Sequence, residues 1–228
     1  MSIRLTGISS MATRQVLGEV AGAWRHAGGA VTFESVGGVE AVRRVQDGEH
    51  FDVVVLAAEA IDKLVAAGRV VAGSKTDLAR SAVALAVRAG ASRPTIDTEA
   101  ALREAVQSAR AIGFSTGPSG VALQQLFERW GIAEVVRPRV VQAPPGVPVG
   151  TLITRGDVDL GFQQLSELMH LEGIDVIGPM PPGLEIVTTF SGGICKASTQ
   201  ADAARALLDF IRSPAADETK RRHGMQPA

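Results

Sequence analysis

The stretch Ile3–Arg14, which reads IRLTGISSMATR, decides the fold. Its apolar residues predict a strand at Ile3–Ile8, followed by a turn at Ser9-Ser10 and then a helix. The same order of strand, small-residue turn and helix recurs at Val31–Arg43 (VTFESVGGVEAVR) and at Ile112–Gln124 (IGFSTGPSGVALQ). Each turn places hydroxyls and backbone N–H groups at a helix N-terminus, which carries a partial positive charge. The three turns together predict helix N-termini that converge on a small anion.

Composition limits the classes of partner. The 228 residues are 46% apolar and 21% charged, as expected for a globular chain with a substantial core. A net charge of −1 excludes the basic footprint of a nucleic-acid binder. No stretch reaches the ~18 continuous apolar residues of a membrane span, so no membrane insertion is expected. The single cysteine, Cys195, excludes an internal disulfide and is expected to be a small buried residue and not a nucleophile.

The start of the sequence gives an expectation about location. The chain enters its first predicted strand directly from Met1, without the basic segment and apolar run of an export signal. We therefore expect the chain as it stands to be cytoplasmic. If the sequence has been trimmed, a periplasmic location is expected instead.

Strands and helices alternate along the chain, which predicts an α/β protein with mostly parallel sheets. The first block, from Ile3 to about Val87, reads βαβαβα, and its run Phe51–Leu56 (FDVVVL) is typical of a strand buried on both faces. A second block opens near Ser81–Ala89. The elements predicted after that strand are a helix at Thr98–Arg110, a strand at Ile112–Phe114, a helix at Val121–Trp130, a strand at Val135–Val141, a short helix to about Thr154, a strand at Val158–Phe162, a crossing segment at Gly178–Gly183, strands at Leu184–Phe190 and Gly193–Lys196, and helices at Ala201–Arg212 and Ala215–His223.

The candidate ligand-binding residues are small or neutral and lie in turns between a strand and a helix. Serine hydroxyls at such turns serve equally well as helix caps, and Gly-Gly pairs serve as plain turns, so these structural roles remain open beside binding. The loop from Ser115 to Gly120 is not a phosphate-binding P-loop, because it lacks the Gly-Lys-Ser/Thr ending. The candidates are Ser9, Ser10, Ser35, Val36, Gly37, Ser115, Thr116, Ser119, Gly120, Val147, Gln163 and Gln164.

A few charged residues near these turns are also candidates. Arg14 falls in the first helical turn after Ser10 and could clamp a carboxylate with its planar guanidinium group. Glu167 and His170 have the i,i+3 spacing of a metal pair, but without a third ligand a surface helix is the favoured interpretation. Arg43 and Arg44 are expected to be solvated. No metal and no cofactor is predicted.

The order of these turns resembles that of the molybdate-binding protein family of type II solute-binding proteins, over essentially the whole chain. The segments that carry the resemblance are the Ser9-Ser10 turn, Phe33-Glu34-Ser35, Gln46–Val53 (QDGEHFDV), Pro118-Ser119-Gly120, Thr154–Gly161 (TRGDVDLG), Ser213–Ala216 and Gly224-Met225. The resemblance implies a fold of two lobes that close by a hinge on a ligand in the cleft between them. It also implies one lobe of residues 1–80 plus 185–228 and another of residues 81–184.

The resemblance implies roles for particular residues. Ser10 matches a serine ligand of the family, Ser119 a backbone N–H donor, and the segment Gly146–Val149, which includes Val147, another backbone contributor. The chain departs from the family at two positions. Val36 stands where the family has a second serine, and Gln164 stands where it has a tyrosine; the chain has no tyrosine at all.

Two functions are therefore open. The first is binding of a small anion, either an oxyanion such as molybdate or a small carboxylate, with an ABC permease as partner only if the chain is exported. The alternative is a cytoplasmic isomerase that resembles aconitate isomerase and acts on an unsaturated tricarboxylate by a 1,3-proton shift. Such a reaction needs carboxylate clamps, an environment that stabilises an anion, and one base. The candidate bases are Glu34 and Glu167.

Overall fold

The computed structural model describes residues 4–228, and the chain divides into two compact units. Unit 1 comprises Met1–Ser81 and Thr188–Ala228, and unit 2 comprises Ala82–Val187. Ile3, the first residue of the predicted opening strand, lies outside the described residues. Each unit has parallel strands joined by helices and its own buried apolar clusters, which confirms the predicted α/β class.

Three parallel strands form the centre of unit 1: β1 (Leu5–Ser10), β2 (Val31–Val36) and β3 (Val53–Ala57). β1 lies in the middle and pairs with both of the others, so the three carboxyl ends lie at one edge of the sheet. Val53–Leu56 is buried throughout, as its apolar run predicts. The antiparallel additions to this sheet are β9 (Val187–Ile194) beside β3 and β10 (Met225–Pro227) beside the first half of β4 (Thr76–Arg88).

Helices cover both faces of the unit 1 sheet. One face packs with a cluster that includes Val16 and Leu17 from the first helix and Leu207 and Leu208 from the ninth. The other face packs with a cluster that includes Ile61 and the side chains around it. The helices of unit 1 are α1 (Arg14–His26), which follows a 3-10 turn at Met11–Thr13, α2 (Gly38–Gln46), α3 (Ala58–Ala66), α9 (Ala201–Arg212) and α10 (Asp217–Arg222).

Unit 2 repeats the same strand plan. Its parallel strands are β5 (Ile112–Phe114), β6 (Val140–Gln142) and β7 (Leu160–Gln164), with β5 in the middle. The second half of β4 pairs antiparallel with β7 and with β8 (Ile174–Pro179). Since strand order reverses beside β5, as it does beside β1 in unit 1, each unit has a switch point at the carboxyl ends of its strands, where ligands commonly bind.

The core of unit 2 is aromatic at its centre. Phe127 lies edge-on to both Phe114 and Phe162, with ring centroids 6.3 and 6.4 Å apart. Such tilted contacts add to the burial of the rings themselves. The helices of unit 2 are α4 (Glu99–Ser108), α5 (Pro118–Arg129), α6 (Ala133–Val136), α7 (Val149–Arg155) and α8 (Leu165–Leu168).

Several element predictions were wrong in detail. The predicted strand at Val135–Val141 is instead the end of α6, a 3-10 turn at Arg137–Arg139 and the short β6, because Pro138 fixes a helical turn. In place of the two strands predicted at Leu184–Phe190 and Gly193–Lys196, the structure has the single strand β9, which begins at Val187 and ends at Ile194. Part of the predicted crossing segment Gly178–Gly183 belongs to β8, a strand that was not predicted from the sequence. No helix within residues 4–228 has the length and apolar character needed to cross a membrane.

Candidate functional site

The carboxyl edge of the unit 1 sheet brings three turns together. β1 ends at Ser10, β2 at Val36 and β3 at Ala57, and a helical segment follows each end. The first N–H groups of α2 and α3 therefore point toward this edge without intrahelical acceptors, as at any helix start. The third turn, at Ala57-Ala58, was not predicted as part of the site, because its residues carry no polar side chain.

Two of the three predicted serine hydroxyls in unit 1 satisfy each other. The Ser9 and Ser35 hydroxyl oxygens lie 2.8 Å apart, and Ser9 Oγ also donates to the Ser10 carbonyl oxygen at 3.3 Å. Ser9 is fully buried and Ser35 half-buried. These contacts occupy both hydroxyls within the sheet, and neither Ser9 nor Ser35 is the N-cap of the helical segment that follows its strand.

The Ser10 hydroxyl differs from those of Ser9 and Ser35 in its hydrogen bonding. Its hydroxyl oxygen is buried and has no hydrogen-bond partner among the described residues. The Ser10 side chain does not cap the 3-10 turn that follows it, and Thr13 Oγ1 instead donates to the Ser10 carbonyl oxygen at 3.1 Å. An unsatisfied buried hydroxyl costs about 1–3 kcal/mol, so a ligand oxygen that reached it would recover that energy. Thr13, a buried residue of this turn, was not predicted.

The start of α2 lies close to Ser10. A Cβ atom built on Gly38 would lie 4.0 Å from the Ser10 Cβ atom, and Gly37 precedes the helix as its N-cap. The Gly37 carbonyl oxygen accepts from the N–H of Ala41 at 2.9 Å, which is the first bond of the helix. The N–H groups of the first turn of α2 and the Ser10 hydroxyl are thus neighbouring donors at one edge of the sheet.

Arg14 is the first residue of α1 and is exposed. Its guanidinium group forms no ion pair with any residue in 4–228, unlike that of Arg44 in the same unit. Arg14 therefore remains available to a ligand carboxylate.

In unit 2 the predicted loop follows β5 and leads into α5. Ser119 is buried in the first turn of the helix, and its hydroxyl oxygen lies 3.5 Å from that of Ser115. Only glycine fits at position 120, because a Cβ atom there would lie 1.9 Å from the Ser115 carbonyl oxygen. Thr116 is exposed at the tip of the loop. The loop is thus a tight backbone turn that presents hydroxyls at the start of a 12-residue helix.

Gln163 is held by the protein's own groups. Its amide oxygen accepts from the N–H of Val149 at the start of α7, and its amide nitrogen donates to Glu167, each at 2.8 Å. Gln164, the next residue of β7, is also buried. Val147 lies half-buried in the preceding turn, where its N–H donates to the Pro144 carbonyl oxygen at 3.0 Å.

The environments of the two candidate bases differ. Burial raises the pKa of Glu167 to about 7, against the opposing effect of the hydrogen bond from Gln163. Glu34 is exposed, and its hydrogen bonds with the Arg44 guanidinium group lower the pKa of its carboxyl. A carboxyl with a pKa near neutrality is the better proton acceptor and donor, so Glu167 is the stronger candidate.

Two predictions about charged side chains were wrong. Arg44 is not solvated: its side chain is only 17% exposed, pairs with Glu34 and Glu49, and lies over the Phe51 ring at 5.3 Å. Glu167 and His170 do not share a surface helix, because α8 ends at Leu168 and Glu167 is half-buried. Within residues 4–228, no group of three or more His, Cys, Asp or Glu side chains is placed to hold a metal ion.

Cys195 is buried, as its residue type predicts. Burial, with a smaller contribution from the nearby Asp52 charge, raises the pKa of its thiol to about 12. The thiolate that a nucleophile needs is therefore scarce at neutral pH.

Several known proteins are similar to this chain in sequence or in structure. An aconitate isomerase from Pseudomonas sp is 37% identical over 187 residues, which cover 81% of this chain and 70% of that protein. The periplasmic molybdate-binding protein of Azotobacter vinelandii superposes with a TM-score of 0.80 at 20% identity, over 97% of this chain and 98% of that one. The sulfate-binding protein SubI of Mycobacterium tuberculosis H37Rv gives a TM-score of 0.79 at 19% identity, over 99% of this chain and 87% of that one.

These structural neighbours confirm the predicted likeness to molybdate-binding proteins at the level of the fold. Residues 5–226 match the family described as bacterial extracellular solute-binding protein. That match extends over both units, and the strand and helix order described above lies almost wholly within it. The chain therefore belongs to the bacterial extracellular solute-binding protein family.

Proposed function

We propose that the protein binds a small anion through neutral donors, and that each unit carries a set of such donors of its own. In unit 1 the donors are the Ser10 hydroxyl and the first N–H groups of α2, and in unit 2 they are the Ser115–Gly120 loop and the start of α5. The observation that carries this proposal is the buried Ser10 hydroxyl, which has no partner among the described residues and lies beside a helix start. A helix N-terminus together with an unsatisfied donor is suited to an anion.

The negative charge proposed for the ligand agrees with the names of three of the similar proteins. Two of the structural neighbours are named for molybdate and sulfate, and the 37% identical relative is named for aconitate, so all three names refer to small anions. The net charge of −1 means that attraction has to come from local donors. Arg14 could add a charge-assisted bond for a carboxylate, since its guanidinium group has no ion pair within residues 4–228.

Thermal unfolding against a panel of anions tests the proposal. The panel is molybdate, tungstate, sulfate, phosphate, citrate, cis-aconitate and trans-aconitate. A ligand at 100 times its Kd adds about 2.7 kcal/mol to the free energy of unfolding, which is readily seen as a rise in Tm. We expect at least one anion to raise the Tm of the wild type.

Variants then locate the donors. Ser10→Ala combined with Ser119→Ala is expected to weaken binding of that anion at least about tenfold, since a hydrogen bond to a charged group contributes about 1.5–3 kcal/mol. The matched control is Ser108→Ala, an exposed serine at the end of α4. An unchanged Kd in the double variant would refute the proposed site.

We propose an isomerase as the second candidate function, because the relative that is 37% identical is an aconitate isomerase. Glu167 is the group we assign to proton transfer. As a carboxylate it would remove a proton from the methylene carbon next to a substrate carboxylate, which leaves a dienolate. The resulting carboxylic acid would return a proton to the far carbon of the three-carbon allylic unit, so the double bond shifts without water or a redox partner.

Incubation of cis-aconitate and of trans-aconitate in separate reactions, followed by chromatography, tests this second function. We expect each to yield the other with the wild type, and we expect Glu167→Gln to slow interconversion by about 100-fold or more while the Kd changes little. Binding of aconitate by the wild type without interconversion would identify a receptor instead. In that case an ABC permease would be the partner that we propose, as is typical of solute-binding proteins.

A further inference from the structure

The last two residues of β1 pair with the last two residues of β2. One pair consists of two serines, and the other consists of a serine and a valine. The register places Ser9 opposite Ser35 and Ser10 opposite Val36. Successive side chains of a strand point to opposite faces, and directly paired residues share a face. The Ser9–Ser35 pair therefore lies on one face of the sheet, and the Ser10–Val36 pair lies on the other, which is the face covered by the cluster that includes Ile8, Ala41 and Ile61.

The two pairs differ in whether the β1 serine finds a hydrogen-bond partner on β2. Ser35 supplies a hydrogen-bond partner to Ser9 at 2.8 Å, whereas Val36 has methyl groups where such a partner would be. The Ser10 hydroxyl, at the position paired with Val36, is buried and has no hydrogen-bond partner within residues 4–228. Val36 itself is half-buried against the cluster, and Val39, in the first turn of α2, is 64% exposed. The donors at this edge are thus bordered by aliphatic side chains.

We propose that Val36 determines specificity by selecting a carboxylate carried on a carbon skeleton against tetrahedral inorganic oxyanions. This inference rests on the proposed anion-binding function and names the substrate class of the same site. A tetrahedral oxyanion presents an oxygen on every side, and an oxygen placed against methyl groups loses the hydrogen bonds it makes in water. A carboxylate concentrates its two oxygens at one end, and the carbon chain behind them gains from contact with methyl groups.

Calorimetric titration of the full chain with trans-aconitate, tricarballylate, sulfate and molybdate tests this role. We expect the wild type to bind at least one of the two carboxylates about tenfold or more tightly than either inorganic anion. Val36→Thr keeps the branched shape and adds a hydroxyl beside Ser10. This substitution is expected to reduce the preference for carboxylates by about tenfold, because the inorganic anion gains one hydrogen bond.

Two further variants make the result interpretable. Val135→Thr makes the same change at an exposed valine of α6 and is expected to leave the ratio of affinities unchanged. Val36→Ala removes methyl groups without adding a donor, so it is expected to weaken carboxylate binding a few-fold while the preference over sulfate persists. It also provides a second readout if Val36→Thr fails to fold.

The outcomes separate this inference from the proposed function. Wild-type binding of sulfate or molybdate as tightly as of the carboxylates would overturn the role of Val36 and leave anion binding intact. An unchanged ratio of affinities in folded Val36→Thr would do the same. If the wild type binds none of the four anions, the role of Val36 is overturned. The proposed function is overturned as well only if the full panel of seven anions leaves the Tm of the wild type unchanged.

Discussion

At the scale of single residues, Asp52 joins distant parts of the unit 1 chain. Its buried carboxylate accepts from the N–H and hydroxyl of Thr6 on β1, at 2.8 and 3.2 Å, and from the Ser198 hydroxyl at 2.6 Å. A carboxylate that satisfies several donors leaves all of them unpaired when it is removed. Its contribution is therefore larger than that of an exposed ion pair.

We expect Asp52→Ala to lower the free energy of unfolding by about 3 kcal/mol, and Asp52→Asn, which keeps one acceptor oxygen, to lower it less. Urea unfolding followed by circular dichroism measures both. Asp157→Ala, at an exposed aspartate of unit 2, serves as the control and should change stability by less than about 0.5 kcal/mol. Equal losses at the two positions would contradict the role given to Asp52.

The raised pKa of Glu167 leads us to expect that the free energy of unfolding depends on pH. Its pKa is about 7 in the folded chain and lies at the ordinary value of 4.5 when unfolded, so the native state binds more protons between these two values. The stabilising contribution of the neutral carboxyl is complete below about pH 4.5 and is lost as pH rises through about 7. The loss amounts to about 3 kcal/mol, since the folded and unfolded pKa values differ by about 2.5 and one pKa unit corresponds to 1.36 kcal/mol.

The measurement is urea unfolding at several values between pH 4.5 and 8. Glu167→Gln, which is neutral throughout, should remove that part of the decline, so the stability of the variant relative to the wild type rises with pH. Parallel curves for the two proteins would show that the Glu167 carboxyl does not change its protonation in this range.

At the scale of elements, the loop between β5 and α5 depends on one close backbone approach. A Cβ on Gly120 would lie 1.9 Å from the Ser115 carbonyl oxygen and 3.1 Å from the Phe114 ring, and neither a backbone atom nor a buried ring moves easily. Gly18, in the middle of α1, has no atom within 4 Å of a Cβ placed there. The two glycines therefore form a matched pair.

We expect Gly120→Ala to lower the free energy of unfolding by about 2 kcal/mol or more, because the start of α5 has to move. Gly18→Ala should instead be neutral or stabilising by up to about 1 kcal/mol, since alanine favours a helix. Thermal unfolding compares them directly. If Gly120→Ala proved as stable as Gly18→Ala, the tight turn described for this loop would be wrong.

Some of the strands and helices could be predicted from the sequence, and others could not. Local periodicity and turn chemistry predict β1, α1, β5 and α9, because their apolar residues repeat with the period of the element they form. The error at Val135–Val141 arose because apolar residues on both sides of Pro138 suggested one strand. Val135 is in fact 62% exposed on α6. The local sequence pattern does not distinguish an exposed valine on a short helix from a buried valine in a strand.

The candidate site could be predicted only in part, for a similar reason. Residue type and turn position indicate Ser9, Ser10 and Ser35 as hydroxyl donors. Which hydroxyl stays unsatisfied depends on the pairing of β1 with β2, and that register is a contact between residues about 26 positions apart. The hydrogen bonds that occupy Gln163 depend on Val149 and Glu167, so they too are visible only in the folded chain.

At the scale of the whole molecule, unit 1 is completed by the end of the chain. β10 pairs antiparallel with β4, and Met225 is fully buried in the cluster that also contains Leu17 of α1. Lys220 is fully buried as well, with its ammonium group 3.1 Å from Asp217. The closing residues are therefore part of the core of a unit that begins about 220 residues earlier.

A chain that ends at Ser213 should consequently lose much of the stability of unit 1. Burial of one methionine side chain contributes about 1.5–3 kcal/mol, and loss of the β10 pairing adds to that, so we expect a decrease of at least about 3 kcal/mol. Trp24, which lies on α1 with its ring 5.1 Å from that of Phe210, reports on unit 1 by fluorescence in a Trp130→Phe background. Removal of the exposed Ala228 alone is the control, and its urea midpoint should match that of the full chain. If the longer truncation also kept the full-length midpoint, the closing segment would be an appendage, and the core of unit 1 would have to be complete at Ser213.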